Sequence, residues 1–154
     1  MIKASNFSTF LLINFACLCF SKTVKTEPNT KLTVIVDELH HQNGQVCLRI
    51  YSSEQGFPLS DEGEVQSGCT KITGRSVTKE FYGLKPGTYA VAVLDDEYGD
   101  QKLHTILGIP QEGFGISNNP TVSVLTGAPK FKDASFLLNQ DTIIRISMKY
   151  SLDH

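Results

Sequence analysis

The amino-acid sequence predicts an all-β fold, an antiparallel β-sandwich of about seven strands with one long loop. Three observations carry this. Apolar residues recur at every second position in successive runs from Lys31 onward. Turn residues such as Asn43-Gly44, Pro86-Gly87 and Asn139-Gln140-Asp141 separate the runs. Between Arg49 and Lys149 no ten-residue stretch carries apolar residues at helical spacing.

Taken in order, "KLTVIVDEL" places Leu32, Val34 and Val36 on one face, and "GQVCLRIYS" does the same with Val46, Leu48 and Ile50. Asn43-Gly44 between them tolerates positive φ, so these two runs are expected to pair as an antiparallel hairpin. A weak strand follows near Gln66 to Thr73. "SVTKEFYGL" alternates Val77, Lys79 and Phe81 against Thr78, Glu80 and Tyr82, the pattern of a half-exposed strand. After the Pro-Gly turn, Tyr89, Val91 and Val93 oppose Ala90, Ala92 and Leu94, so this strand is expected to be covered on both faces. The last two runs flank Asn139-Gln140-Asp141, and the second sets Ile144, Ile146, Met148 and Tyr150 against Ile143, Arg145, Ser147 and Lys149. Strands joined by turns in this way suit a sandwich of immunoglobulin-like or transthyretin-like type.

The N-terminus has a different character. Lys3 precedes an apolar run from Phe7 to Phe20, broken by Ser8, Thr9 and Asn14, and polar residues resume at Ser21. That order is the one found in secretory signals, and the run falls short of the roughly 20 apolar residues a spanning helix needs. Residues 1–21 are therefore read as a signal peptide, 22–30 as a linker and 31–152 as one sandwich domain, exported to the periplasm or outside the cell. Ala16, Cys17 and Leu18 match the box before a lipidated cysteine poorly. No other segment approaches membrane-spanning length, so the mature chain is expected to lack a transmembrane segment.

Of the 14 Lys and Arg only Lys3 lies in the signal, which leaves thirteen basic against 16 acidic side chains, a net charge of −3. A mildly acidic chain without a basic stripe argues against nucleic acid or an anionic membrane surface as a partner. Cys17 and Cys19 leave with the signal. Cys47 and Cys69 remain, and in an oxidising compartment two cysteines most simply bridge. Closing a loop of about 23 residues is worth roughly 3 kcal/mol in chain entropy. Cys47 alternates with Arg49 and Tyr51, so the bridge is expected on the more polar face of its strand. The mature chain has no Cys-x-x-Cys or His-x-x-x-His spacing to suggest zinc.

Leu94 to Asn119 is the long loop. Its glycines allow tight reversals, and Leu107, Ile109, Phe114 and Ile116 are expected to anchor it on the sandwich. "GFGISN" lacks the third glycine and the following Lys-Ser or Lys-Thr of a phosphate loop. Phe114, Asn118 and Asn119 could present an aromatic surface and amides to a small ligand or a carbohydrate, although the same residues suit packing. His40, His41, His104 and His154 lie in turns or at the terminus, without a nucleophile elbow or a His-Glu-x-x-His pattern.

The order of these features resembles the DUF2141 family of exported bacterial proteins. The resemblance rests on "GLKPGTYAVAVLDDE", "KLHTILGIPQEGFGISNN" and "PKFKDASFLL", and extends over about Lys31 to Leu152. It implies a small β-sandwich and no assigned activity. It also implies a loop similar to Asp-x-Asn-x-Asn-Gly followed by Asp, a calcium pattern with oxygen ligands at alternate positions. Here Asp96 and Asp100 keep the first and third ligand positions, Tyr98, Gln101 and His104 replace the others, and Asp95 and Glu97 could compensate in part. A solvated acidic strand end is the preferred reading, with Asp96, Glu97 and Asp100 as the residues that would hold calcium. No other cofactor is expected. The functional expectation is a non-catalytic binding or envelope-associated module, whose partner would be a small ligand, a carbohydrate or an envelope protein. The alternatives are a hydrolase built on the Asp95–Asp100 cluster with His104, and a weak calcium-binding module.

Overall fold

The computed structural model describes residues 29–153; the expected signal peptide and most of the expected linker lie outside the described residues. The strands are β1 (Thr30–Asp37), β2 (Gln45–Tyr51), β3 (Glu64–Lys71), β4 (Val77–Leu84), β5 (Gly87–Asp96), β6 (Thr105–Ile106), β7 (Ile109–Pro110) and β8 (Phe114–Ile116). A single helical turn, α1 (Phe131–Ala134), precedes β9 (Phe136–Leu138) and β10 (Thr142–Ser147). They form an all-β sandwich. One sheet has the order β10-β1-β4; the other runs β3-β2-β5-β8, with β9 beside the first residues of β5. The short β6 and β7 pair with each other.

Inward faces follow the period of two. Leu32, Val34 and Val36 of β1 and Val46, Leu48 and Ile50 of β2 are all fully buried, and Val77, Phe81, Leu84, Tyr89, Val91, Val93 and Ile146 complete one core between the sheets. The β1–β2 hairpin expected from Asn43-Gly44 does not form. β1 pairs with β4 and β10, whereas β2 pairs with β3 and β5, so the two strands face each other across the core. Two apolar faces satisfy the same periodicity whether their strands are neighbours or opposed. The connection decides the matter: Leu39 is buried and donates its N–H to the Arg75 carbonyl at 3.0 Å, while Gly44, at φ 87°, accepts from Ile72 at 3.1 Å. The chain thus crosses from one sheet to the other over a buried leucine.

Most pairs are antiparallel, but β1 and β10 run parallel, with Val34 opposite Ile144 and Val36 opposite Ile146. Polar contacts hold that register at both ends. Asp141 accepts from the Lys31 N–H at 2.8 Å, and Arg145 bonds Asp37 at 2.7 Å. Of the last run's expected inward face, Ile146 and Met148 are buried and Ile144 and Tyr150 pack against the core, while Ile143 is exposed.

The disulfide forms as expected. Cys47 and Cys69 stand directly opposite in the β2–β3 register, with Cα atoms 4.0 Å apart. It ties edge strand β3 to β2 on the sheet face away from the core. That face is not solvated there: Cys47 and Tyr51 are buried, because segments from elsewhere in the chain fold over them.

Candidate functional site: an apolar cavity on the outer sheet face

β5 is covered on both faces, as its two apolar sets require. Tyr89, Val91 and Val93 enter the core; Ala90, Ala92 and Leu94 point outward. In β8, Ile116 lies opposite Ala92 and Phe114 opposite Leu94, so these four side chains share the outward face with Cys47 and Arg49. Gly115, between Phe114 and Ile116, faces inward, where a Cβ would come within 2.7 Å of the Ile146 Cγ2. At Gly113 a Cβ would come within 2.5 Å of the Tyr150 ring. Glycine is needed at both positions so that β8 can lie against the second sheet, which it joins through paired hydrogen bonds between Phe114 and Lys149.

Above this floor stand two segments, 101–110 and 122–129, and between floor and roof lies a cavity of about 310 Å³. Ala92, Leu94, Phe114 and Ile116 line it below, and Leu103 and Val122 are among the residues that close it from the loops. Small Ala92 at the centre of a strand leaves the space that a larger residue would fill. Among the described residues, Arg49 is the only charged side chain in the lining. Its Nη2 donates to the Gln101 carbonyl at 2.9 Å and its Nε lies 3.5 Å from Glu64, so the guanidinium secures the loop at the cavity edge.

The acids at the end of β5 are divided by the strand itself. Asp95 continues the core-facing set and accepts from the Tyr150 hydroxyl at 2.6 Å. Burial, and then that hydrogen bond, hold the Tyr150 phenol well above its ordinary value. Asp96 is on the other face and is 1 % exposed. One of its oxygens accepts from the backbone N–H groups of Asp100 and Gln101 at 3.0 and 3.1 Å, and the other accepts from the Gln45 amide at 2.7 Å. The Asp96 oxygen 3.6 Å from Cys47 Sγ marks packing alone, since a bridged sulfur has no proton to donate. Asp96 therefore acts as the staple of the loop it begins.

Asp100 lies outside, paired with His104 at 2.9 Å. The Lys102 backbone N–H and then His104 hold its carboxyl below the usual range. Of Asp96, Glu97 and Asp100, the residues expected to hold calcium, Asp96 has both oxygens accepting from protein donors and Asp100 is paired with His104. Among the described residues no three His, Cys, Asp or Glu side chains group as a metal site. Of the cluster named for the hydrolase alternative, Asp100 and His104 are brought together, while Asp95 and Asp96 are buried on opposite faces of β5.

The long loop is anchored by half of its expected anchors. Phe114 and Ile116 are buried, but Leu107 is 97 % and Ile109 45 % exposed, at the edge of the cavity rather than inside the fold. Asn118 and Asn119 both take positive φ and spend their amides on backbone. Asn118 donates to the Ser135 carbonyl, and Asn119 accepts from the Ser147 N–H at 2.8 Å, so both amides help to hold the loop in place. Of the expected ligand-loop residues only Phe114 reaches the cavity. Sequence reasoning did not single out Ala92, Leu94, Val122 or Val124 as site residues. The only signal was the two-sided apolar pattern of β5, which calls for a cover without naming it. Glu112 was also missed: it is buried, one carboxylate oxygen accepts from the His104 N–H at 3.0 Å, and the other has no hydrogen-bond partner among the described residues.

Fold and site together define a small disulfide-bonded β-sandwich with an apolar cavity on its outer sheet face. The chain matches the family model described as "Uncharacterized protein conserved in bacteria (DUF2141)" over residues 34–145, from β1 to β10, and belongs to that family. No match was found among curated proteins or among solved structures.

Proposed function

We propose that this protein is an exported, non-catalytic binding module whose ligand is a small apolar molecule or an aliphatic chain held in the cavity over β2, β5 and β8. The observation that carries the reading is the cavity: about 310 Å³, walled mostly by aliphatic side chains and Phe114 with Arg49, Gln101, Thr105 and Ser123 as its polar members, on a face that a two-layer sandwich usually leaves to solvent. That volume is at the lower end of the roughly 300–1,000 Å³ typical of ligand pockets, which suits a slender ligand. With one charged group in the lining, itself engaged by protein partners, most of the binding free energy must come from apolar burial, about 25 cal/mol per Å². A carbohydrate would need several free polar partners.

Export is supported by the disulfide, which suits an oxidising compartment, and by the pattern of residues 1–21. Mass spectrometry of protein from the producing cell should give a mature chain beginning near residue 22; recovery with Met1 intact would reject it. Binding is tested by titration with N-phenyl-1-naphthylamine, a neutral dye that fluoresces in apolar surroundings. The wild type should saturate at one dye per chain, and Ala92→Phe and Ala128→Phe, which fill the cavity from floor and rim, should lose that signal. Non-saturable binding, or binding indifferent to both substitutions, would reject the reading.

A further inference from the structure

Two exposed loop turns border the cavity. The first is the β6–β7 turn, where Ile106 and Ile109 pair and Leu107-Gly108 forms the two-residue connection. Leu107 has φ 52° and Gly108 φ 79°. Turns with positive φ at both centres are normally made by Asn-Gly or Asp-Gly, since most side chains resist that conformation. A leucine there gains nothing locally, and at 97 % exposure it gains nothing from the fold.

The second turn is held by Ser123 and Thr126, which exchange backbone-to-hydroxyl hydrogen bonds at 3.0 and 3.2 Å. Its two central residues, Val124 and Leu125, are 75 % and 97 % exposed. Other exposed apolar residues, such as Tyr82 and Ile143, lie singly on strand faces. Around the cavity they gather.

The charges of these two segments share one sign. Residues 101–110 and 120–130 carry the fixed charges of Lys102 and Lys130 and contain no acid, in a chain whose net charge is −2; His104 is paired with Asp100, just before the first segment. From the protruding leucines, the flanking lysines and the adjoining cavity, we infer that these two loops dock the protein on an anionic phospholipid surface, Leu107 and Leu125 entering the interface and Lys102 and Lys130 meeting the headgroups. Apolar side chains beside basic ones are the general form of interfacial attachment. This rests on the cavity reading and gives it a source of ligand: a chain of low solubility passes from membrane to cavity without crossing bulk water. The third segment at the rim, Pro58-Leu59, is followed by Asp61 and Glu62 and is not assigned to the contact.

The chain has no tryptophan, so a single substitution supplies a unique reporter. Leu107→Trp and Leu125→Trp should each shift to shorter emission wavelength with vesicles of phosphatidylcholine and phosphatidylglycerol, less with phosphatidylcholine alone, and be quenched by brominated acyl chains. Tyr82→Trp, on the other sheet, should not respond. Leu125→Asp, outside the cavity lining, should abolish vesicle binding while dye titration proceeds as in the wild type. Absence of a shift at both loop positions with every vesicle would overturn the docking, and a normal dye titration of Leu125→Trp, outside the cavity lining, would show that the cavity reading survives it. A shift that follows protein concentration without vesicles would also overturn it, in favour of a second copy of the chain.

Discussion

Phe114→Ala tests whether the long excursion after β5 is part of the fold. The ring is 7 % exposed, stands opposite Leu94 in the β5–β8 register, and belongs to the residue whose backbone joins β8 to Lys149 of the other sheet. Truncating a buried phenylalanine costs about 3–5 kcal/mol. Here the lost ring walls an existing cavity, so the added void merges with space already present and the cost should fall near the lower figure, about 3 kcal/mol. With a urea dependence of about 1.5 kcal/mol per molar for a domain of this size, the unfolding midpoint should drop by about 2 M. Far-UV circular dichroism can follow the transition. Leu107→Ala, at a fully exposed position of the same excursion, should stay within about 0.5 kcal/mol of wild type. A midpoint for Phe114→Ala within about 0.3 M of wild type would show that β8 and its loop are not held by this side chain, and the cavity floor would lose its support.

Reducing the Cys47–Cys69 bridge under native conditions should lower stability by about 3 kcal/mol, as measured by urea unfolding with and without reductant. Asp96→Ala, which deprives two backbone N–H groups and the Gln45 amide of their acceptor, should cost about 3 kcal/mol, whereas Asp100→Ala should barely move the midpoint. Millimolar calcium should leave the wild-type melting temperature nearly unchanged; a large rise abolished by Asp96→Ala would mean that the staple opens to hold an ion. Tyr150 is held neutral in the folded protein above its ordinary pKa of 10.0, so its contribution to stability is complete below that value and is lost as pH rises through the raised one. Tyr150→Phe should therefore flatten the alkaline fall in stability above about pH 10, and an unchanged fall would assign it to other groups.

The strands were legible because burial on one face leaves a period of two that survives any arrangement of partners. The partners were not. Leu32, Val34 and Val36 would alternate identically in a hairpin with β2 or opposite it, and the crossing was decided by Leu39 and Gly44, which carry no periodic signal. β5 shows how far the pattern extends: two apolar faces required a cover, yet its source, the β6–β7 turn and the Val122–Pro129 segment, lies outside any alternation. The acidic run misled for a related reason. Asp95 and Asp96 are adjacent in sequence, so the strand sends them to opposite faces, one to a tyrosine and the other to a loop backbone. Leu107 and Ile109 were expected inside because they are apolar; their exposure is what the docking inference explains.

The central claim is that the cavity between the outer sheet face and the two loops is a ligand site, and the most direct measurement locates the ligand. Methyl resonances of Ala92, Leu94, Ile116 and Val122, which line the cavity, should shift together and saturably when dodecanoate is added to methyl-labelled protein, while those of Leu32, Val34 and Ile50 in the core between the sheets stay in place. Shifts absent from the first group, or spread evenly over both, would contradict the claim.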